Sequence, residues 1–168
     1  MPSLPTGTVA FLFTDIEAST RLIEQHPDAM RAALARHNTL LESAIGAHRG
    51  HVFQVVGDGF CSAFEDIGDA VGAALDAQRA LHSENWGEVG PLRVRMGLHL
   101  GAAEAQEGDY ASSLTLVRTQ RVASAGHGGQ MLLSTAAATG VGVALPSSTT
   151  LPFSMMMRRS IAEIVESR

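Results

Sequence analysis

Phe11-Leu12-Phe13-Thr14-Asp15-Ile16-Glu17-Ala18-Ser19-Thr20 is the stretch on which the fold turns. An apolar run stops at a carboxylate, and a Ser/Thr pair able to open a helix follows. A carboxylate is costly inside an apolar sheet. At a strand's end it therefore faces solvent, a partner or a metal ion. The alternative is that Asp15 only helps to start the next helix. A second carboxylate, in the turn Val56-Gly57-Asp58-Gly59, bears on that choice.

Working outward, Met1–Thr6 reads as a lead-in and Thr8–Thr14 as a buried strand. Ser19 and Thr20 are placed to cap a short helix toward Gln25, and Pro27 suits the first turn of a longer one. There Met30, Ala33, Leu34, His37, Leu41, Ala44, Ile45 and His48 form one apolar stripe. Its histidines are expected to be packed or half-exposed, and Gly50 to end the helix. His51–Val56 and Phe60–Phe64, parted by Gly57-Asp58-Gly59, give a β-hairpin signal. Asp66 is placed to cap a helix carrying Ile67, Ala70, Val71, Ala74, Leu75 and Leu81. After a loop over Asn85–Pro91, residues Leu92 to Leu100 alternate as a strand with one buried face, His99 lying on the polar one. Gly101–Gly108 reads as an acidic loop, Leu114–Ala125 as a helix and Met131–Ser134 as a strand. Thr135–Val143 and Ser160–Arg168 read as further helices, and the methionines Met155–Met157 as packing material.

Composition narrows the function. The 168 residues, 45% of them hydrophobic, suit one domain with a packed core. A net charge of -5 argues against broad nucleic-acid binding. All 12 basic residues are arginine, so a mechanism that needs a lysine is closed to the chain. A single cysteine, Cys61, excludes an internal disulfide framework and suits a reducing cytosol. The expected compartment is the cytoplasm, with no membrane-spanning run and no signal peptide.

Strand, helix, hairpin, helix, strand is the order of a split βαβ, or ferredoxin-like, α+β core. In it the first two strands run parallel and the third lies beside the first. The turn at Asp58 is thereby carried next to Asp15. Two convergent carboxylates suit a hard divalent cation, Mg2+ or Mn2+, that bridges to phosphates. The helix start at Ile16–Thr20 adds backbone N–H groups for phosphate oxygens. Two purely structural aspartates are the competing account.

Four stretches resemble the catalytic domain of class III adenylyl/guanylyl cyclases: Phe11–Thr20, Phe53–Phe60 (FQVVGDGF), Arg95–His99 (RMGLH) and Gly126–Gln130 (GHGGQ). The resemblance covers Gly7–Ser134 in order and spacing. It implies a ferredoxin-like core with additions, and conversion of a nucleoside triphosphate to its 3′,5′-cyclic monophosphate and pyrophosphate. Asp15, Asp58 and the carbonyl of Ile16 match the ligands of two metal ions, and Glu17, Ala18, Ser19 and Thr20 match the phosphate-facing turn. Gln54 and Asp109 match the base-reading positions. The family's active sites lie at a head-to-tail dimer interface, so a homodimer is expected, with Arg121 matching a partner-supplied catalytic arginine.

Departures fall mainly on that partner-supplied half. Where the family carries an Asn four residues before the arginine stands Val117; aligned from Tyr110 instead, in a segment one residue longer than usual, the position is Leu116. Neither side chain donates a hydrogen bond to ribose. Gln54 replaces a lysine, leaving adenine and guanine both conceivable, whereas Asp109 favours an exocyclic amine. Ala18 stands where glycine is common. The divisions expected are a lead-in over 1–6, a cyclase homology domain over 7–144 and an atypical segment over 145–168. That segment lacks the family's phosphate-binding lysine, for which Arg158 or Arg159 is the substitute. The resulting expectation is a weak or atypical ATP (or GTP) cyclase; the alternative is a cyclase-like domain that binds metal-nucleotide or serves regulation and dimerisation.

Overall fold

The computed structural model describes residues 3–110 and 113–142. Met155–Met157, the Ser160–Arg168 helix and both candidate substitutes for the lysine lie outside them. Strand β1 (Gly7–Ile16) is followed by helices α1 (Ser19–Gln25) and α2 (Pro27–Ala47), then by the hairpin β2 (His51–Val56) and β3 (Gly59–Phe64). Next come helix α3 (Ile67–Ser83), a 3-10 turn over Gly87–Val89, and strand β4 (Val94–Ala103). A small hairpin, β5 (Ala105–Gln106) and β6 (Asp109–Tyr110), leads to α4 (Leu114–Ser124), β7 (Met131–Leu133) and α5 (Thr135–Gly140).

The main sheet has the order β2-β3-β1-β4-β7. β1 is antiparallel to both β3 and β4, and β3 is antiparallel to β2, so β1 and β2 run the same way as the split βαβ arrangement requires. Successive strand residues point to opposite faces, and β1 shows the division. Ala10, Leu12 and Ile16 join the larger core with α2 and α3, while Val9, Phe11 and Phe13 join a second cluster with Tyr110 and Ala123. The apolar run therefore reads as continuous because both faces of β1 are covered.

Both helix signals around the crossover are borne out: Pro27 opens α2, and the Asp66 carboxylate accepts the Gly68 and Asp69 N–H groups at the start of α3. His37 is fully buried on the stripe predicted for α2, and its ring meets Phe60 edge-on with centroids 6.0 Å apart. His48 is half-exposed and pairs with Asp76 at 2.8 Å.

Several local expectations are corrected. α2 ends at Ala47, and the left-handed residue after it is Arg49 (φ 58°) rather than Gly50. Gly50 is instead required for contact, since a Cβ there would lie 2.3 Å from the Phe64 ring. Ser19 and Thr20 do not cap α1: the capping position is Ala18, itself left-handed (φ 57°), with no side-chain hydrogen bond to the helix. The stretch Gly101–Gly108 is not a loop, because β4 continues to Ala103 and the β5–β6 hairpin follows.

Gly97 and His99, on the face of β4 expected to be polar, are buried as well. His99 is 6% exposed and shares a hydrogen bond of 2.8 Å with the Ser134 hydroxyl. Gly97, on the same face, lies under α4, where an added Cβ would come within 2.3 Å of the Ala123 backbone nitrogen. Glycine at 97 thus lets α4 cross close to the sheet. Thr115, Thr119 and Ala123, spaced four apart, form the face of α4 that is buried.

Candidate active site

Asp15 is part of β1 rather than beyond it, since the strand runs on to Ile16. It lies directly across from Arg95 on β4, so the two side chains share a face. The guanidinium holds the carboxylate with both arms: Nε donates to Oδ1 at 2.9 Å and Nη2 to Oδ2 at 2.5 Å. The hydrogen bond to Asp15, followed by its charge, holds the Arg95 pKa above its ordinary value. Both side chains keep partial access to solvent, at 37% and 29% exposure.

Asp58 reaches the same place from the hairpin turn. Gly57, with φ 61°, supplies the positive φ that a two-residue hairpin loop of this kind demands at its first position. Gly59 lets the turn sit against the end of β1, because a Cβ there would lie 2.9 Å from the Thr14 carbonyl oxygen. The Asp58 carboxylate then accepts the Ile16 N–H at 2.6 Å and the Ser19 hydroxyl at 3.2 Å. Ser19 therefore serves the acidic turn. The turn expected beside β1 from strand order is there, with Asp58 bonded to the residue that follows Asp15.

Glu17 is anchored at both ends. Its N–H donates to the Arg93 carbonyl at 2.8 Å, and its Oε1 accepts the Gly128 N–H at 3.1 Å. The side chain thus faces the loop after α4. Ala18 and Thr20 complete the turn into α1.

The two base-reading candidates sit around Cys61. Gln54, exposed on β2, pairs in register with Cys61 across a bulge between Val52 and Gln54. Burial pushes the Cys61 thiol up to about 11, and the nearby Asp109 carboxylate adds to the rise. Asp109 is exposed, and its Oδ1 accepts the N–H of Tyr110 at 2.7 Å. Tyr110 fixes that hairpin: its ring meets Phe11 and Phe53 edge-on at 5.0 and 4.9 Å, and its hydroxyl donates to the Pro5 carbonyl at 2.7 Å.

Arg121 stands apart. It is exposed in the last turn of α4 and makes no hydrogen bond or ion pair with the acidic turns among the described residues. Val117, one helical turn earlier, is 46% exposed on the same side, while Leu116 packs against the second cluster. Arg95 is the functional candidate that sequence reasoning passed over. A cation alternating onto the face of Asp15, on the strand that neighbours β1, was the available signal.

Among the described residues no three His, Cys, Asp or Glu side chains gather as a metal cage. Asp15, once released by Arg95, and Asp58, with the Ile16 carbonyl between them in sequence, would offer an all-oxygen donor set. That set fits a cation which takes one or two carboxylates and completes its shell from substrate phosphates and water, as Mg2+ does.

A five-stranded sheet with a split βαβ core, carrying one aspartate at the end of β1, a second in the hairpin turn bonded to the next residue, and a cation across from the first, defines an α+β domain of the nucleotidyl cyclase fold. The adenylate and guanylate cyclase catalytic domain family model matches residues 1–140, and the chain belongs to that family. An uncharacterised protein of Mycobacterium tuberculosis is 39% identical over 138 residues, covering 81% of this chain and 45% of that protein. An adenylate cyclase of Lachancea kluyveri is 33% identical over 156 residues, covering 77% of this chain and 8% of the yeast protein. The chain thus spans less than half the length of these relatives. Among solved structures, an adenylate cyclase from Trypanosoma brucei in its monomeric state superposes with a TM-score of 0.75. It is 30% identical and covers 82% of this chain and 78% of that one. No described helix is long and apolar enough to cross a membrane.

Proposed function

We propose that the chain is a nucleotidyl cyclase domain that turns ATP, and less readily GTP, into the 3′,5′-cyclic nucleotide and pyrophosphate. The observation that carries this reading is the meeting of Asp58 with the β1 end at Ile16, beside Asp15. The adenylate cyclase relatives support the substrate class. Asp15, Asp58 and the Ile16 carbonyl would hold Mg2+ or Mn2+, which supplies charge neutralisation on the triphosphate and acidifies the ribose 3′-hydroxyl.

The 3′-oxygen forms a bond to the α-phosphorus, the bond from that phosphorus to the pyrophosphate oxygen breaks, and the hydroxyl proton leaves to solvent. The residues of the chain act through placement and charge. Arg95 gives up Asp15 and turns its two-armed guanidinium to the triphosphate. N–H groups at Ala18–Thr20 receive phosphate oxygens, and Ser19 keeps Asp58 oriented. Gln54 and Asp109 read the base, the carboxylate of Asp109 accepting from the adenine amine. Arg121 comes from the second protomer of a head-to-tail homodimer and faces the charge that develops on the transferred phosphate.

A purified-protein assay with Mn2+ and either ATP or GTP tests the reading. Cyclic product is expected with ATP and is lost, by at least about a hundredfold, in Asp15→Ala and in Asp58→Ala. Val117 favours a second reading, in which the domain binds metal-nucleotide with little turnover. Calorimetric Mn2+-ATP binding without any product would select it.

A further inference from the structure

Glu17 belongs to the acidic turn in sequence, yet its side chain is committed elsewhere. Its Oε1 accepts the Gly128 N–H at 3.1 Å, while its own N–H is held by the Arg93 carbonyl at 2.8 Å. Gly128 is shaped to this contact. A Cβ there would meet Glu17 Oε2 at 2.6 Å and the Arg93 Cβ at 2.5 Å, so only glycine lets loop, carboxylate and strand end close together. The neighbouring bonds Gly129 N–H to the Val94 carbonyl (2.9 Å) and Met96 N–H to the Gln130 carbonyl (3.0 Å) fasten the same loop to β4. Between Ile16, whose N–H holds Asp58, and the left-handed Ala18, Glu17 is the residue whose side chain tethers the turn to the loop fastened on β4.

We infer that Glu17 is a positioning residue, holding the Ile16–Ser19 turn in a metal-ready shape by its grip on the Gly128 N–H. The inference rests on the proposed metal site at Asp15 and Asp58. It also joins the two halves of the chemistry within one chain, because the loop bearing Gly128 follows directly from α4 and Arg121. An unpaired Ile16–Ser19 turn would present the Ile16 carbonyl and the Asp58 acceptor geometry less often in the arrangement a cation requires. Groups that orient metal ligands from behind commonly change affinity by about ten- to a hundredfold.

The test uses the full chain and Mn2+ alone, its free concentration followed by electron paramagnetic resonance, in the native protein and in Glu17→Ala, Glu17→Gln and Asp58→Ala. Amide hydrogen exchange at residues 16–19 and at Gly128 is followed alongside. Glu17→Ala is expected to bind Mn2+ about tenfold more weakly and to exchange faster at both places. Glu17→Gln, which keeps an oxygen acceptor at the same reach, stays within about threefold of native. Native Mn2+ affinity in Glu17→Ala, with binding lost in Asp58→Ala, overturns the inference and leaves the metal site standing. If Asp58→Ala binds like the native chain, the metal-site reading fails. Exchange then decides Glu17 alone: unchanged protection in Glu17→Ala overturns its positioning role, and lost protection sustains it for the turn itself.

Discussion

Asp15 and Arg95 set the electrostatics of the site at the scale of single residues. A two-armed guanidinium–carboxylate pair is among the stronger charge-assisted contacts, and here it joins two groups that the proposed reaction needs separately. Arg95→Ala is therefore expected to act in opposite directions on the two ligands. Mn2+ alone binds at least as well because Asp15 is released, while the ATP contribution to binding falls about tenfold, the size of a lost hydrogen-bonded charge contact. Calorimetry with Mn2+ and then with Mn2+-ATP separates the two effects. Val117 calls for a different substitution. It shares an exposed side of α4 with Arg121, and Asn there would add a donor and an acceptor toward ribose. Val117→Asn is expected to raise kcat by about tenfold while moving KM by less than about threefold, since orientation acts mainly on the transition state. Steady-state kinetics of the two forms decides this, and an unchanged kcat would remove ribose orientation as the role of that position.

Among the described residues, packing between elements leaves one buried side-chain polar atom unpaired, on His37 where α2 meets β3. Its Nε2 is buried without a hydrogen-bond partner, while Nδ1 lies 2.9 Å from the Asn38 Oδ1. Burial lowers the His37 pKa below the ordinary value, against smaller opposing effects of Asn38 and the Asp58 charge. A base whose folded pKa is depressed contributes stability that is whole above the unfolded value, about 6.5, and is lost as pH falls through the folded one. The urea midpoint is therefore expected to drop between about pH 7 and pH 5, with a shallower drop in His37→Leu. The elements themselves were largely legible in the sequence. Long apolar runs gave β1, β2 and β3, the three- and four-residue steps gave α2 and α3, and the strand order brought Asp58 to the end of β1. Legibility failed where a polar-looking residue is used for contact. Gly97 and His99 alternate like a solvent face, yet one admits α4 and the other bonds Ser134 beneath it. Ser19 has the chemistry of a cap and spends it on Asp58, and Arg95 has the look of a solvated strand cation while it holds Asp15. Each depends on a neighbour far away in sequence, which local periodicity does not register.

At the scale of the whole molecule, in the proposed head-to-tail reading the constellation within one chain is incomplete. The acidic turns and Arg95 lie together, whereas Arg121 projects from α4 without a partner among the described residues. If a second copy supplies Arg121, mixing Asp15→Ala with Arg121→Ala restores one intact site per mixed dimer. Equal mixing of two inactive chains should then recover about a quarter of native activity, the statistical yield for a two-fold assembly. Activity that stays at the level of the separate variants would place all catalytic groups within one chain. The sheet's two borders carry a separate consequence, for solubility. β2 is an outer strand with Val52, Val55 and Val56 exposed, the type of rim on which another chain could lay down a further strand. Its bulge between Val52 and Gln54 interrupts the pairing pattern there, and the opposite border among the described residues, β7, is only 3 residues long. Within the described residues, an irregular edge on one side and a short one on the other work against edge-to-edge aggregation without a single lysine to guard either strand.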